Sequence, residues 1–380
     1  MNFSRFVNIL KILVFSKKQF IFPKKREVLI LDNVGSEKIK KTFLGNIKYE
    51  ILHARGEYIN LPILFISLIN FIFYGKDAYA ITYIKFVRPK IVITFIDTSL
   101  HFCRIMNKIK NCKFIIIQNG RRQGYEILPF LSKKIKYKLK ADYYFVFNNS
   151  YAKYIKKYIT TNCIVGGSTL NNSFKKNEKF KTVKKIQYIS DFHSAKKISK
   201  TIDYEAWEFL PTKYIFNVII KFCKEKKLKL EILGRTNEYK EEINFYKKFN
   251  FPFKFIKKKK ENYSSLSSEA IVVGMSTTLL AETFSRNFRT AFFDIRNSFY
   301  ALNKLKPGFA FPYKTKFFGS FWSNAPNEKK MHESLSFLYS VSKFEWTNIV
   351  NKWSKILMVH NYNNIIYKKI FKKVGLTINL

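Results

Sequence analysis

The residues best suited to chemistry lie in the run Gly274-Met275-Ser276-Thr277-Thr278-Leu279-Leu280-Ala281-Glu282, directly after the apolar stretch Ile271–Val273. A buried strand that breaks into a Gly-Ser-Thr turn and re-enters a helix leaves free N–H groups at the turn. The positive end of the helix dipole lies there too. With the hydroxyls of Ser276, Thr277 and Thr278, that makes an anion site suited to a nucleotide phosphate. Glu282 lies one to two turns into the helix, where its carboxylate could accept hydrogen bonds from ribose hydroxyls. The plain structural alternative is that Ser276 or Thr277 only caps the helix.

A second cluster is Gln118-Asn119-Gly120-Arg121-Arg122, which follows the apolar run Phe114–Ile117. Two adjacent arginines after a glycine can grip a carboxylate or phosphate with fork geometry. In a chain so rich in cations they could equally face solvent. A third set is the carboxylates Asp97, Asp191 and Glu126. Acids are scarce here, so one at a strand end is a candidate base or nucleophile, and a cationic cleft would keep it ionised. Each could instead serve as a helix cap or half of an ion pair. Gly166-Gly167-Ser168 and Gly234-Arg235 also follow apolar runs and add Ser168 and Arg235 as ligand-contacting candidates. His193 stands near Asp191, but no serine completes a triad. Neither G-x-x-x-x-G-K-[ST] nor G-x-G-x-x-G occurs, which argues against P-loop and dinucleotide sites. Cys103, Cys112, Cys163 and Cys223 form no C-x-x-C pair and no zinc-ligand spacing, so no metal site is expected. They read as reduced thiols of a cytosolic protein.

These groups need strands to carry them. Short runs of β-branched and aromatic residues at Val28–Leu31, Tyr49–Leu52, Ile91–Phe95, Phe114–Ile117, Tyr143–Phe147 and Cys163–Val165 alternate with helical stretches. Runs that do not alternate with polar residues are strands buried on both faces, the mark of a parallel sheet. Asn171–Lys185 is polar and reads as a linker. The alternation restarts at Ile186–Ser190, Leu228–Leu233, Phe253–Ile256, Ile271–Val273 and Thr290–Asp294. The region 297–327 looks irregular, and helical patterning resumes from Lys329. The expected fold is α/β, with two doubly wound halves, 1–172 and 185–327, and a helical tail, 328–380. In such sheets ligands sit outside the carboxyl ends of strands. Two halves facing each other would therefore form one cleft, with the polar strand ends inside it.

Composition agrees. The chain has 380 residues, 47% hydrophobic and 18% aromatic, which excludes a disordered or fibrous protein. Lys+Arg 70 against Asp+Glu 26 gives a net charge of +44. The abundance of Lys, Asn, Ile, Phe and Tyr points to AT-rich codons as the main source of that excess. Whatever its origin, the positive field attracts polyanions and anionic lipid. Two segments resemble membrane signals. Met1–Lys25 could lie flat on a bilayer or pack as an ordinary amino-terminal helix. Leu61–Tyr74 is uncharged but, at about 1.5 Å per residue, covers only about 21 Å, too little to span a bilayer, and is expected to be a buried helix. The Lys257–Lys260 run reads as a solvated face.

In this order, Tyr83–Asp97, Phe114–Arg121, Gly166-Gly167-Ser168 with Asn171-Asn172, Tyr188–Phe192, and Ser276-Thr277-Thr278-Leu279 with Glu282 resemble bacterial surface-carbohydrate biosynthesis proteins. More distantly they are similar to the retaining β-Kdo transferases of O-antigen and capsule assembly. The resemblance spans roughly 80–295. It implies a GT-B glycosyltransferase, with two Rossmann-like domains, no metal or other cofactor, and a nucleotide-activated donor, CMP-Kdo in the β-Kdo enzymes. In those enzymes an Asp forms a covalent glycosyl intermediate, and the position here most like it is Asp191. This chain has Gly274-Met275-Ser276-Thr277 where the family's turn reads Asn-Ser-Thr.

The resulting expectation places the donor phosphate at Ser276–Thr278, the ribose at Glu282, and an acidic sugar or phosphate at Arg121 and Arg122. Asp191 or Asp97 acts as nucleophile or base, and fixed cations replace a metal ion. The acceptor would be a lipid-linked or oligosaccharide glycan, reached from the cytoplasmic face of an anionic membrane and released by about 0.5 M salt. The alternatives are a CDP-polyol phosphotransferase of the teichoic-acid kind, and a basic nucleic-acid-binding or membrane-binding protein without enzymatic activity. No nucleic-acid motif is present to support the last.

Overall fold

The computed structural model describes residues 14–122, 139–195, 202–235, 239–257, 259–300, 308–311 and 316–376. Glu126, residues 1–13 and Lys258 of the lysine run lie outside the described residues.

The first half is a six-stranded, wholly parallel sheet: β1 (Val28–Leu31), β2 (Tyr49–Leu52), β3 (Ile91–Thr94), β4 (Lys113–Ile117), β5 (Leu139–Val146) and β6 (Ile159–Val165), in the order β2-β1-β3-β4-β5-β6. Its apolar runs do not alternate because both faces are covered. Leu29, Leu31, Val92, Phe114 and Ile116 enter one core, while their neighbours Val28, Ile30, Ile91, Ile93, Ile115 and Ile117 enter another. The second half is a seven-stranded sheet: β7 (Lys185–Ile189), β8 (Lys229–Leu233), β9 (Phe253–Ile256), β10 (Ala270–Gly274), β11 (Thr290–Phe293), β12 (Phe318–Gly319) and β13 (Trp322–Ser323). The order is β9-β8-β7-β10-β11-β13-β12, and only the β12–β13 pair is antiparallel. Its first five strands have the Rossmann order 3-2-1-4-5, whose switch point falls between β7 and β10. Asp191 and Ser276 follow the ends of those two strands.

The principal helices are α1 (Leu61–Tyr74), α2 (Ala78–Val87), α3 (Leu210–Lys226), α4 (Thr278–Ser285), α5 (Glu328–Ser340), α6 (Lys343–Leu357) and α7 (Ile365–Lys373). The helices after residue 327 do not pack together as one unit. Met331, Leu335, Leu338, Trp346 and Val350 of α5 and α6 belong to the second half's core. Tyr367 and Phe371 of α7 belong to the first half's core, where the Tyr367 ring stacks on Phe145 at 4.2 Å. The chain crosses back at Leu357–Val359, held by Asn148 Nδ2 donating to the Leu357 carbonyl at 2.8 Å and Val359 N–H to the Phe147 carbonyl at 2.9 Å.

Gly167 lies against this crossing. Its φ is +73°, and a Cβ there would sit 2.2 Å from the Val359 carbonyl oxygen. Both the left-handed backbone and the close approach demand glycine. Gly167→Ala should cost about 2 kcal/mol or more, read as a lowered urea midpoint with unchanged slope.

Three expectations need correction. Helix α1 is not buried: only Ile63 and Ser67 of its side chains are, while Phe65, Leu68, Ile69, Phe71, Ile72 and Phe73 are exposed. The layer against the sheet is filled by α2, seven of whose ten residues are buried, so α1 packs outside it. The stretch read as a linker begins as a buried joint. Asn172 donates to the Gly166 carbonyl and to Asn364 Oδ1, and Asn171 donates to Ser285 Oγ. The irregular region 297–327 contains the β12–β13 hairpin, whose two-residue strands are too short to leave a periodic signal.

Candidate functional site

The carboxyl edges of the two sheets meet at a cavity of about 380 Å³. The first half contributes Asn119 and Arg121; the second contributes Ser190, Asp191, Trp207, Arg235, Asn262, Tyr263, Ser276–Leu279, Glu282 and Arg296, among others. The turn at Ser276 therefore opens into the cleft and shares it with Arg121.

Local chemistry explains the turn. Thr277 is the N-cap of α4, its Oγ1 accepting from Leu280 N–H at 3.3 Å. Thr278 Oγ1 accepts the Arg121 backbone N–H at 2.9 Å, a bond between the halves that leaves Thr278 committed to structure. The amides of Thr278 and Leu279 and the hydroxyl of Ser276 have no hydrogen-bond partner among the described residues, and all three residues line the cavity. They are the groups at the turn left able to meet an anion.

Asp191 is buried, and a guanidinium holds each of its oxygens. Arg235 Nη1 lies 2.9 Å from Oδ1, and Arg296 Nη1 lies 2.9 Å from Oδ2. Burial works to raise its pKa, but Arg296, Arg235 and His193 outweigh it and hold the carboxyl below its ordinary value. Arg296 is itself buried, donates to the Trp207 carbonyl and to Glu208, and stacks its guanidinium 4.7 Å from the Trp207 ring centre. Burial works against its charge, but Asp191 and Glu208 raise its pKa above the ordinary value. Glu208, buried behind this pair, is shifted upward by burial, opposed by His193 and Arg296. The result is a fixed array in which two guanidiniums flank one ionised carboxylate at the cavity wall.

Several expected ligand contacts prove to be joints within the protein. Arg121 lines the cavity, and its Nη2 donates to the carbonyls of Gly308 and Phe309, so part of its guanidinium is committed to structure. Arg122 makes a bidentate pair with Asp97 through Nε (2.7 Å) and Nη2, and also donates to Asn119 Oδ1. Asp97 accepts further from the Tyr144 hydroxyl and does not line the cavity, so the catalytic role expected of it is withdrawn. Gln118 bridges the Gly120 carbonyl and the Phe147 amide. Gly120 lies at 3.4 Å, by its notional Cβ, from Thr278 Oγ1. Glu282 lines the cavity, but its oxygens accept from Ser168 of the first half and Tyr263 of the second, so it braces the halves. Ser168 is engaged in the same bond. The common cause is close packing: groups that look free at a strand end find partners in neighbouring loops of the same half, as Asp97 and Gln118 do, or across the cleft, as Ser168 does.

The sequence reading passed over Arg296, Trp207, Asn262 and Tyr263. Arg296 follows the end of β11 by three residues, so the strand-end rule applied to the other candidates would have found it. Asn262 donates to the Gly234 carbonyl at 2.8 Å, while its buried Oδ1 has no partner among the described residues.

Two Rossmann-type halves that close on one cleft at their strand ends define the GT-B class of fold. Within it, the chain belongs to the family described as "putative O-antigen biosynthesis protein", whose model matches residues 115–375. Its backbone is similar to that of a UDP-N-acetylglucosamine 2-epimerase, with a TM-score of 0.50 and 13% identity over 93% of this chain and 97% of the other. It is also similar to a UDP-GlcNAc 2-epimerase of Methanocaldococcus jannaschii solved with UDP-GlcNAc and UDP (TM-score 0.49, 14% identity, 91% and 98% covered). A wall teichoic acid polymerase aligns at TM-score 0.49 and 11% identity, over 93% and 91%. At these identities the likeness is one of fold. No curated protein matches the chain in sequence.

Proposed function

We propose that this protein is a glycosyltransferase of surface-polysaccharide assembly that moves a sugar from a nucleotide-activated donor to a glycan acceptor. The observation that carries the reading is the cavity wall itself. The amides of Thr278 and Leu279 and the Ser276 hydroxyl, unpartnered among the described residues, share one cavity with the Arg235–Asp191–Arg296 array. The donor's phosphate binds at the amides, where the helix dipole adds to them. Arg235 and Arg296 stabilise the charge that develops as the sugar leaves, a task that metal ions perform in other transferases. Asp191 has both oxygens engaged, so its role here is to keep the two guanidiniums charged and oriented rather than to attack the sugar. Trp207 and Asn262 line the space left for the rest of the donor. The family match supports the polysaccharide context, and the resemblance to β-Kdo transferases makes CMP-Kdo the first acidic-sugar donor to test.

A thermal-shift panel tests this directly, since a ligand that binds only the folded state raises the midpoint. A CMP-sugar or UDP-sugar should raise it with EDTA present. A response to CDP-glycerol alone would favour polyol-phosphate transfer, and no response to any nucleotide would remove the transferase reading.

A further inference from the structure

We infer that the outer face of α1 is a membrane-docking surface that seats in the plane of an anionic bilayer. This inference goes beyond the proposed reaction and does not depend on it. Phe65, Leu68, Ile69 and Ile72 follow the i, i+3, i+4, i+7 spacing of one helix face and are all exposed, Ile72 by 83%. Phe71 and Phe73 widen the stripe, and the opposite side packs on α2, where Asn70 Nδ2 donates to Thr82 Oγ1 at 2.9 Å.

A second apolar segment continues the patch. Lys17–Gln19 pairs in parallel with Tyr58–Asn60, immediately before α1, and Asn60 Nδ2 donates to the Ile21 carbonyl at 2.7 Å. That fixes exposed Phe20, Ile21 and Phe22 beside the start of the helix. Contiguous exposed apolar surface of this kind marks an interaction site.

Charge identifies the occupant. Lys17 and Lys18 stand at the strand beside the helix's first residues. At its other end, Lys85 Nζ donates to the Tyr74 hydroxyl at 2.5 Å, and Lys76, two residues beyond Tyr74, is exposed. No Asp or Glu occurs in residues 14–26 or 61–74. An apolar face with lysines at both ends matches acyl chains below and lipid phosphates at the edge. The geometry is in-plane rather than spanning. The apolar stretch Leu61–Val87 has the length and composition to cross a bilayer, but Gly75, with φ 55°, breaks it into two helices packed on each other.

The test is flotation of the full chain with vesicles of phosphatidylglycerol and phosphatidylcholine at about 0.1 M salt. Wild type should float with anionic vesicles at least about tenfold more than with phosphatidylcholine alone, and about 0.5 M salt should weaken the binding without abolishing it. Ile69→Asp/Ile72→Asp should lose about tenfold or more while keeping the wild-type urea midpoint, because both side chains face solvent. Lys17→Glu/Lys18→Glu should reduce binding to anionic vesicles only. Binding unchanged in the Ile69→Asp/Ile72→Asp variant would overturn the inference. So would a wild-type chain that ignores vesicles but dimerises, with the same variant monomeric, since a second copy would then cover the face.

Discussion

Asp191→Asn is expected to lower sugar transfer by about 100-fold or more, with little change in donor affinity measured by calorimetry. The amide keeps the shape of the carboxyl but removes the charge to which Arg235 and Arg296 are tied. Guanidiniums that are no longer held fixed stabilise a developing charge poorly, and loss of one preorganised electrostatic element commonly costs two to three orders of magnitude, about 10²–10³ in rate. Stability should fall as well. Arg296 is buried, and breaking a buried ion pair costs about 3–5 kcal/mol; the lower end applies because Glu208 still faces Arg296. The pH dependence has a definite sign. A carboxyl whose folded pKa is depressed contributes its full stability above its unfolded value, roughly 3.9, and loses it as pH falls through the lower folded value. The gap between wild type and variant in urea midpoints should therefore stay constant between about pH 5 and 8 and narrow below about pH 4. A glycosyl adduct on Asp191 trapped by mass spectrometry would contradict the positioning role.

Ser276→Asp should abolish nucleotide binding while leaving the fold intact. The new carboxylate would sit at the start of α4, where the dipole favours negative charge, so the thermal midpoint without ligand should hold or rise slightly. The same carboxylate would occupy the place proposed for the donor's phosphate. Two like charges about 4 Å apart at an effective dielectric of about 20 repel by about 4 kcal/mol, a weakening of several hundredfold. Ser276→Ala removes only a hydroxyl and should cost about tenfold or less. Calorimetry with the nucleotide that gives the largest thermal shift separates the two variants. Equal affinities for Ser276→Asp and wild type would place the phosphate elsewhere.

Most of the scaffold could be read from the chain because its signals are local. Val28–Leu31 and Ile91–Ile93 are continuous apolar runs because both faces of the sheet are covered, and that pattern survives without knowledge of any partner. The strand-end rule likewise pointed to Asp191, Arg235 and Ser276, all of which line the cavity. What could not be read were pairings between distant segments, within one half or across the cleft. Nothing in the spacing of Asp97 and Arg122, or of Ser168 and Glu282, shows that they meet, because each contact exists only once separate segments or whole halves dock. Helix α1 misled for a different reason. It carries no charge, and its polar residues Ser67 and Asn70 face the protein rather than solvent, so nothing in the sequence marks its exposed side and such a helix ordinarily reads as buried.

The central claim is that backbone amides at the start of α4 hold the phosphate of a nucleotide donor. A crystal structure of the wild-type protein with a bound nucleotide tests it most directly. The account predicts a phosphate oxygen within about 3 Å of the Thr278 and Leu279 nitrogens, with Arg235 or Arg296 facing the same phosphate. A nucleotide bound away from that turn, with those two amides left to solvent, would contradict it.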